Sequence, residues 1–307
     1  MDNPIVEENS VYEDSVSEIL RSSNILLIRL DEIVCGAWAQ EPQGDLMVRQ
    51  VNMQVTIERI LKGDVLQKAN EPFEMEVQQR GTGGFRVMDY YGLWSDIDFV
   101  EGLRLVAFCN GESEDATELL TDDNCEQLLD EDIALADTEA SVELEAQSLS
   151  SEDLLARAAV LSSQRTDIFG RYVWGKVRND AMNSLEIFEA TVRIMEDPET
   201  TGGARESYLI CIYEELGMMD LPDEQREVRL IVSMFRLLVL PEAEFISADI
   251  QEVYLPNILS LETRKPRYPA KEVFEGRESE RQSILSHLRS GAMDESGQRL
   301  IQWLEAK

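Results

Sequence analysis

Four apolar residues, Val51, Met53, Val55 and Ile57, alternate strictly with Asn52, Gln54, Thr56 and Glu58. A strand turns successive side chains to opposite faces, so this period of two demands a β-strand with one wet and one buried face. Its neighbours carry the same signal. Ile25-Leu-Leu-Ile-Arg-Leu and Ile33-Val-Cys predict one long, bent strand ending near Gly36, and Leu61-Lys-Gly-Asp64 predicts a turn. Phe73, Met75 and Val77 alternate with Glu74 and Glu76, Gly81-Thr-Gly-Gly84 marks a hairpin or bulge, and further strands are expected at Phe85 to Met88 and Leu103 to Phe108. Such a density of strands predicts a small closed antiparallel barrel of the oligonucleotide/oligosaccharide-binding (OB) type, in which closure removes exposed edges.

The succession of a long apolar strand, the run Val55 to Asp64 ending in Leu-Lys-Gly-Asp, an extended segment and Glu101-Gly-Leu-Arg-Leu-Val-Ala-Phe108 resembles the netrin-like domain of tissue metalloproteinase inhibitors and many bacterial proteins. The resemblance covers about the first third of the chain and implies the barrel alone. Those inhibitors insert an N-terminal cysteine into a protease and are rich in disulfides. This chain opens Met-Asp and shares neither feature, so protease inhibition is not implied.

Between Leu105 and Ala156 there is no Lys, Arg or His, while Glu112 to Asp153 holds 16 Asp and Glu. Like charges at that density keep a chain extended and solvated, so 112–150 is expected to be an acidic linker with a possible helix at Ala116 to Leu129. It would join a β-barrel domain at 1–111 to an all-helical domain at 151–307, a multidomain β + α architecture. Ser150 or Ser151 can cap a helix bearing Leu154, Leu155, Ala158 and Leu161, and Asp167 to Val177 predicts a second. Asn183, with Glu186 three residues on, can cap a third whose Leu185, Phe188, Val192 and Met195 share a face. A fourth runs from Ala204 to a stop at Gly217, and a fifth from Asp220, with Pro222 just inside it, toward Pro241. Ser247 can cap a sixth, and two more are expected near Arg277 to Arg289 and Asp294 to Glu305. Helix starts about twenty residues apart imply antiparallel pairs of about forty, which resembles the period of HEAT-like solenoids, and a compact bundle fits the same spacing.

Composition narrows function mainly by exclusion. A net charge of −33 repels phosphate backbones, so direct nucleic-acid binding is not expected. With 6 Lys beside 22 Arg, that acidity fits a basic partner, a nucleic-acid mimic or an adaptation to high salt. The acidic opening lacks the signature of a leader, and no apolar run is long enough to span a membrane, so a cytoplasmic protein is expected. Cys35, Cys109, Cys125 and Cys211 include no C-x-x-C, and His287, the only histidine, lies in a charged helical stretch, so neither a zinc site nor an imidazole mechanism is suggested. Clusters such as Asp122-Asp123 and Asp130-Glu131-Asp132 miss the spacing that wraps calcium, and Gly81 to Gly84 is followed by no G-K-[ST]. No catalytic, metal or cofactor residue is assigned.

What remains is aromatic. Phe85, Tyr90, Tyr91, Trp94 and Phe99 crowd one strand-loop-strand stretch, and Tyr172 and Trp174 interleave with Arg165, Arg171, Lys176 and Arg178. Large rigid rings make interface hot spots, so these seven aromatics are the candidate partner-binding residues. The basic stretch around Tyr172 is expected to meet the acidic linker. The leading expectation is a non-enzymatic protein-binding adaptor without a cofactor, its partner another protein, a basic one among the options. Alternatives are an acidic decoy or inhibitor that mimics nucleic acid, and a carboxylate- or metal-dependent enzyme.

Overall fold

The computed structural model describes residues 22–40, 47–81, 94, 97–111, 113–121, 124–218, 223–240, 244–261, 266–290 and 295–306. The chain divides into two compact units, Met1–Ser148 and Leu149–Lys307.

The first unit is built on an antiparallel sheet of β1 (Asn24–Cys35), β2 (Ala39–Gln40), β3 (Met47–Lys62), β4 (Pro72–Gly81), β5 (Arg104–Cys109) and β6 (Cys125–Asp130). On one side β3 pairs with β4, Val51 opposite Val77; on the other it pairs with β1 and then β2, Val51 opposite Cys35 and Val48 opposite Ala39. The bend in β1 is a bulge: Asp31 faces Gln54 and Val34 faces Asn52, with Glu32 at a φ of 43°. After β3 the turn needs a glycine, since Gly63 has a φ of 84° and a Cβ there would lie 2.2 Å from the Asn24 side-chain oxygen. That oxygen accepts from the Asp64 amide at 3.1 Å.

The strict alternation does what it predicts. Val51, Val55 and Ile57 are fully buried and Met53 nearly so, joined by Leu26, Ile28 and Leu30 from β1, Met75 and Val77 from β4, and Leu105 and Ala107 from β5. The alternate residues Ile25, Leu27, Val106 and Phe108 are also fully buried. The unbroken apolar run of β1 is the mark of a strand covered on both faces.

The sheet is an open, curled half-barrel, not the closed barrel expected. Strand β6 adds beside β5, so among the described residues β4 and β6 are each paired on one side only. The strand expected at Phe85 to Met88 lies outside the described residues.

Residues 112–150 are not a linker. They hold α1 (Ala116–Leu119), the whole of β6, and α2 (Glu131–Ala146), which packs on β3, β5 and β6 within the first unit. Among the described residues, only Ala116–Leu119 of the helix expected at Ala116 to Leu129 is helical, and Cys125–Asp130 is a strand. Three carboxylates of α2 form ion pairs with the sheet: Glu131 with Arg104 at 2.6 Å, Glu145 with Lys62 at 3.0 Å, and Glu139 with Arg59. Within the second unit, the basic stretch pairs Arg171 with Asp167 and Arg178 with Glu215.

The second unit is all helical: α3 (Ser151–Leu161), α4 (Asp167–Asn183), α5 (Leu185–Glu196), α6 (Gly202–Gly217), α7 (Glu224–Leu237), α8 (Glu244–Asp249), a π-helical turn (Ile250–Tyr254), α9 (Leu255–Leu259), α10 (Ala270–Val273), α11 (Glu278–Ser290) and α12 (Glu295–Glu305). Side-chain caps set several starts. Ser150 accepts from the Asp153 amide, and Ser184, in place of the expected Asn183, accepts from the Ile187 amide. Ser247 is no cap; it lies inside α8. Helices α4 and α6 approach closely at Gly170, where a Cβ would sit 2.9 Å from the Ala204 carbonyl oxygen. Near the C-terminus Phe235, Phe274 and Trp303 form an aromatic cluster, and the Trp303 indole donates to the Tyr268 carbonyl at 2.8 Å. No helix among the described residues is long and apolar enough to cross a membrane.

Candidate functional site

The seven aromatics separate into three groups. Phe85, Tyr90 and Tyr91 lie outside the described residues. Trp94, 2% exposed, stacks on half-buried Phe99 with centroids 6.1 Å apart and donates its indole N–H to the Leu120 carbonyl at 3.0 Å. Both rings pack into the half-barrel's core. Tyr172 and Trp174 are 2% and 1% exposed inside the helical unit. Trp94, Tyr172 and Trp174 are therefore core residues, which corrects the expectation that they form a surface. Each ring gains more from burial than a polar tip gains from water.

Four other places concentrate chemistry. In the helical unit, Arg229 donates to Glu189 at 2.8 Å and to Glu196 at 2.7 and 3.0 Å, while Arg236 joins Glu196 to Glu280. Burial pushes the Glu196 carboxyl up, but the hydrogen bonds and charge of Arg229, with Arg236 behind them, outweigh it and hold the carboxyl below the usual range. Every member is occupied by another, so the network holds α5, α7 and α11 in register rather than presenting a free acid or base.

Along α6, burial raises the Glu206 and Glu214 carboxyls, with Asp249 and Asp167 adding to the shift at Glu206 and Arg171 opposing it at both. Tyr254, in the π-helical turn, packs its ring 4.7 Å from that of Tyr213, and burial followed by the charge of Asp249 and Glu206 pushes its phenol up to about 12. Among the described residues no group of His, Cys, Asp and Glu is arranged to hold a metal ion.

The third place is a cleft of about 440 Å³ between α3 and α5. Helix α3 turns Leu154, Leu155 and Ala158 inward, which leaves the small residues Ala156 and Ala159 on its outer side. From α5 come Ile187, Ala190 and Ile194. Three alanines where longer side chains would fill the space open a trough with an apolar floor. Its rim carries Glu152, Glu186 and Asp197 against a single guanidinium, Arg193. The rim is net acidic, with three carboxylates to one guanidinium. Sequence reasoning missed the cleft because alanines on a helix announce nothing.

A fourth surface lies on the half-barrel, where Glu32, Glu74 and Glu76 surround Asn52, Gln54 and Val34 in a shallow, polar depression. Gln54 donates to Glu32 at 2.8 Å and Gln50 to Glu76 at 2.6 Å, so this acidic face is ordered by amides.

No protein family matches this chain, and no curated protein and no solved structure shows a significant likeness to it.

Proposed function

We propose that this chain is a non-enzymatic, cytoplasmic protein-binding adaptor whose helical unit receives a basic amphipathic segment of another protein in the cleft between α3 and α5. The observation that carries the reading is the pairing of an apolar floor (Leu155, Ile187, Ile194 and the alanines) with an acidic rim (Glu152, Glu186, Asp197). A helix laid in a groove buries its apolar stripe, and lysines or arginines flanking that stripe meet the rim carboxylates. The chain's net charge of −33 adds long-range steering toward such a partner. In this reading the half-barrel is of the netrin-like OB type and the helical unit is HEAT-like, the one a platform and the other the contact surface.

A second reading is favoured by the acidic depression on the half-barrel: an anionic decoy that presents Glu32, Glu74 and Glu76 to a basic, nucleic-acid-binding protein. Salt separates the two, because exposed charge pairs are screened while an apolar floor is not. The full chain and an Ala156→Asp/Ala159→Glu variant, which fills the trough with charge, are used as bait under low-salt and then high-salt washes. A stoichiometric partner kept by the wild type in high salt and lost by the variant supports the adaptor. Capture that is equal on both and vanishes in high salt sinks it in favour of the decoy.

A further inference from the structure

Strands β5 and β6 place two cysteines directly opposite each other, Cys109 against Cys125. The neighbouring pair carries the ladder bond, the Asn110 amide donating to the Asn124 carbonyl at 2.7 Å. Bonded and non-bonded pairs alternate along an antiparallel ladder, so Cys109 and Cys125 occupy a non-hydrogen-bonded pair, where Cα atoms are only about 4.5 Å apart. That spacing lies inside the window a disulfide spans, roughly 4.4–6.8 Å between Cα atoms. Both side chains point to the same face, into the half-barrel core, and both are free thiols with exposures of 0% and 3%.

We infer that Cys109 and Cys125 are a redox modification site, at which hydrogen peroxide oxidises the two thiols to a cross-strand disulfide that ties β6 to β5. One thiol, ionised, attacks the peroxide; the O–O bond breaks, the sulfur becomes a sulfenic acid, and the departing hydroxide leaves as water with the thiol's proton. The second sulfur then attacks the first, the S–S bond forms, and a second water departs. Two thiols have lost two electrons and the peroxide has gained them.

Access comes through β6 itself. It is a six-residue edge strand, paired only with β5 among the described residues, and its Gln127, Leu128 and Leu129 are half-buried. A short edge is the part of a sheet that opens at least cost. While β6 is closed, the hydrogen bond with Cys109 and then burial push the Cys125 thiol well above its ordinary value, which keeps the pair reduced and slow to react. Once formed, the bond closes the excursion of residues 110–124 and anchors α2, which follows β6 without a break.

The test uses the full chain with Cys35→Ser, which removes the exposed thiol, treated with hydrogen peroxide, denatured in acid and alkylated. Because no Lys or Arg lies between Leu105 and Ala156, trypsin keeps Cys109 and Cys125 in one peptide while Cys211 reports separately. The expected result is a peptide lighter by two hydrogen atoms, unalkylated until a reductant is added, together with a rise in melting temperature of about 5–10 °C. Adding Cys125→Ser should abolish that rise. Recovery of both thiols alkylated, or carrying sulfinic or sulfonic oxygens without a link, overturns the inference.

Discussion

The half-barrel unit and the helical unit bury charge to very different degrees. Among the described residues, the sheet's interior is filled mostly by aliphatic side chains from β1, β3 and β5, and the one buried carboxylic acid of that unit is Asp137 on α2. In the helical unit Arg205, Arg226, Arg229 and Glu227 are all buried. The difference follows from where backbone groups go. A sheet satisfies its carbonyls strand to strand, whereas each helix leaves several unsatisfied at its C-terminal end. Arg205, fully buried, donates to the carbonyls of Met195 and Asp197 at the end of α5, and Arg226 donates to the Ala181 carbonyl near the end of α4. A guanidinium carries five donors and keeps its charge, so it can serve helix ends that no apolar residue can.

That comparison is tested most severely at Arg229. Replacement by Ala leaves Glu196 and Glu189 without their main partner in a partly desolvated site, and the expected cost is about 3–5 kcal/mol, read as a lower urea midpoint for the helical unit. The penalty has a pH signature. Because the Glu196 carboxyl is depressed in the fold, its contribution is present above the unfolded carboxylate range and is lost as pH falls through the folded value. The wild type and Arg229→Ala should therefore converge in acid. A difference that stays constant into acid would mean that Arg229 acts through packing, and the contrast between the units would fail.

Within the half-barrel, the sharper probe is Trp94→Phe. It keeps an aromatic ring in the core but removes the donor to the buried Leu120 carbonyl, at an expected cost of about 1–3 kcal/mol. Thermal unfolding of the variant measures it. A neutral result would show that the ring alone holds the segment, leaving the sheet unit as independent of buried polar contacts as its strands suggest.

The strands were legible for the same reason that they are stable. Val51 to Ile57 alternate because one face is wet, and burial follows that alternation as far as Val55; Thr56 breaks it, buried while its hydroxyl donates to Asp31 at 2.9 Å. The face shared by Phe188, Val192 and Met195 on α5 was legible in the same way. Helix α2 was not, because its buried face is Ala134, Asp137, Thr138, Ala140, Ser141 and Leu144, a composition that local pattern cannot separate from a solvated segment. Only the position of Arg59, Lys62 and Arg104, distant in sequence, explains why so acidic a helix docks. Trp94 and Trp174 illustrate the opposite failure. An aromatic cluster signals a large apolar area without saying whether the protein or a partner covers it. The Cys109–Cys125 pair depends on strand register, which spacing along the chain does not carry.

The smallest expected effect lies on α6, where the helical unit carries carboxylates that its arginines serve less well. Burial and the nearby Asp249 raise the Glu206 carboxyl, and Arg171 offsets them only in part. A carboxylate with a raised folded value costs stability once it ionises: the penalty is absent below the unfolded value, grows as pH rises and is complete above the folded one. Glu206→Gln should thus stabilise the protein slightly at neutral pH, and the gain should fade in acid, the reverse of the trend at Glu196. Melting curves of the two proteins across that pH range decide it. A gain that persists in acid would place the effect in packing or helix propensity, and Glu206 would then cease to be the counterpart of the arginine-held carboxylate on α5.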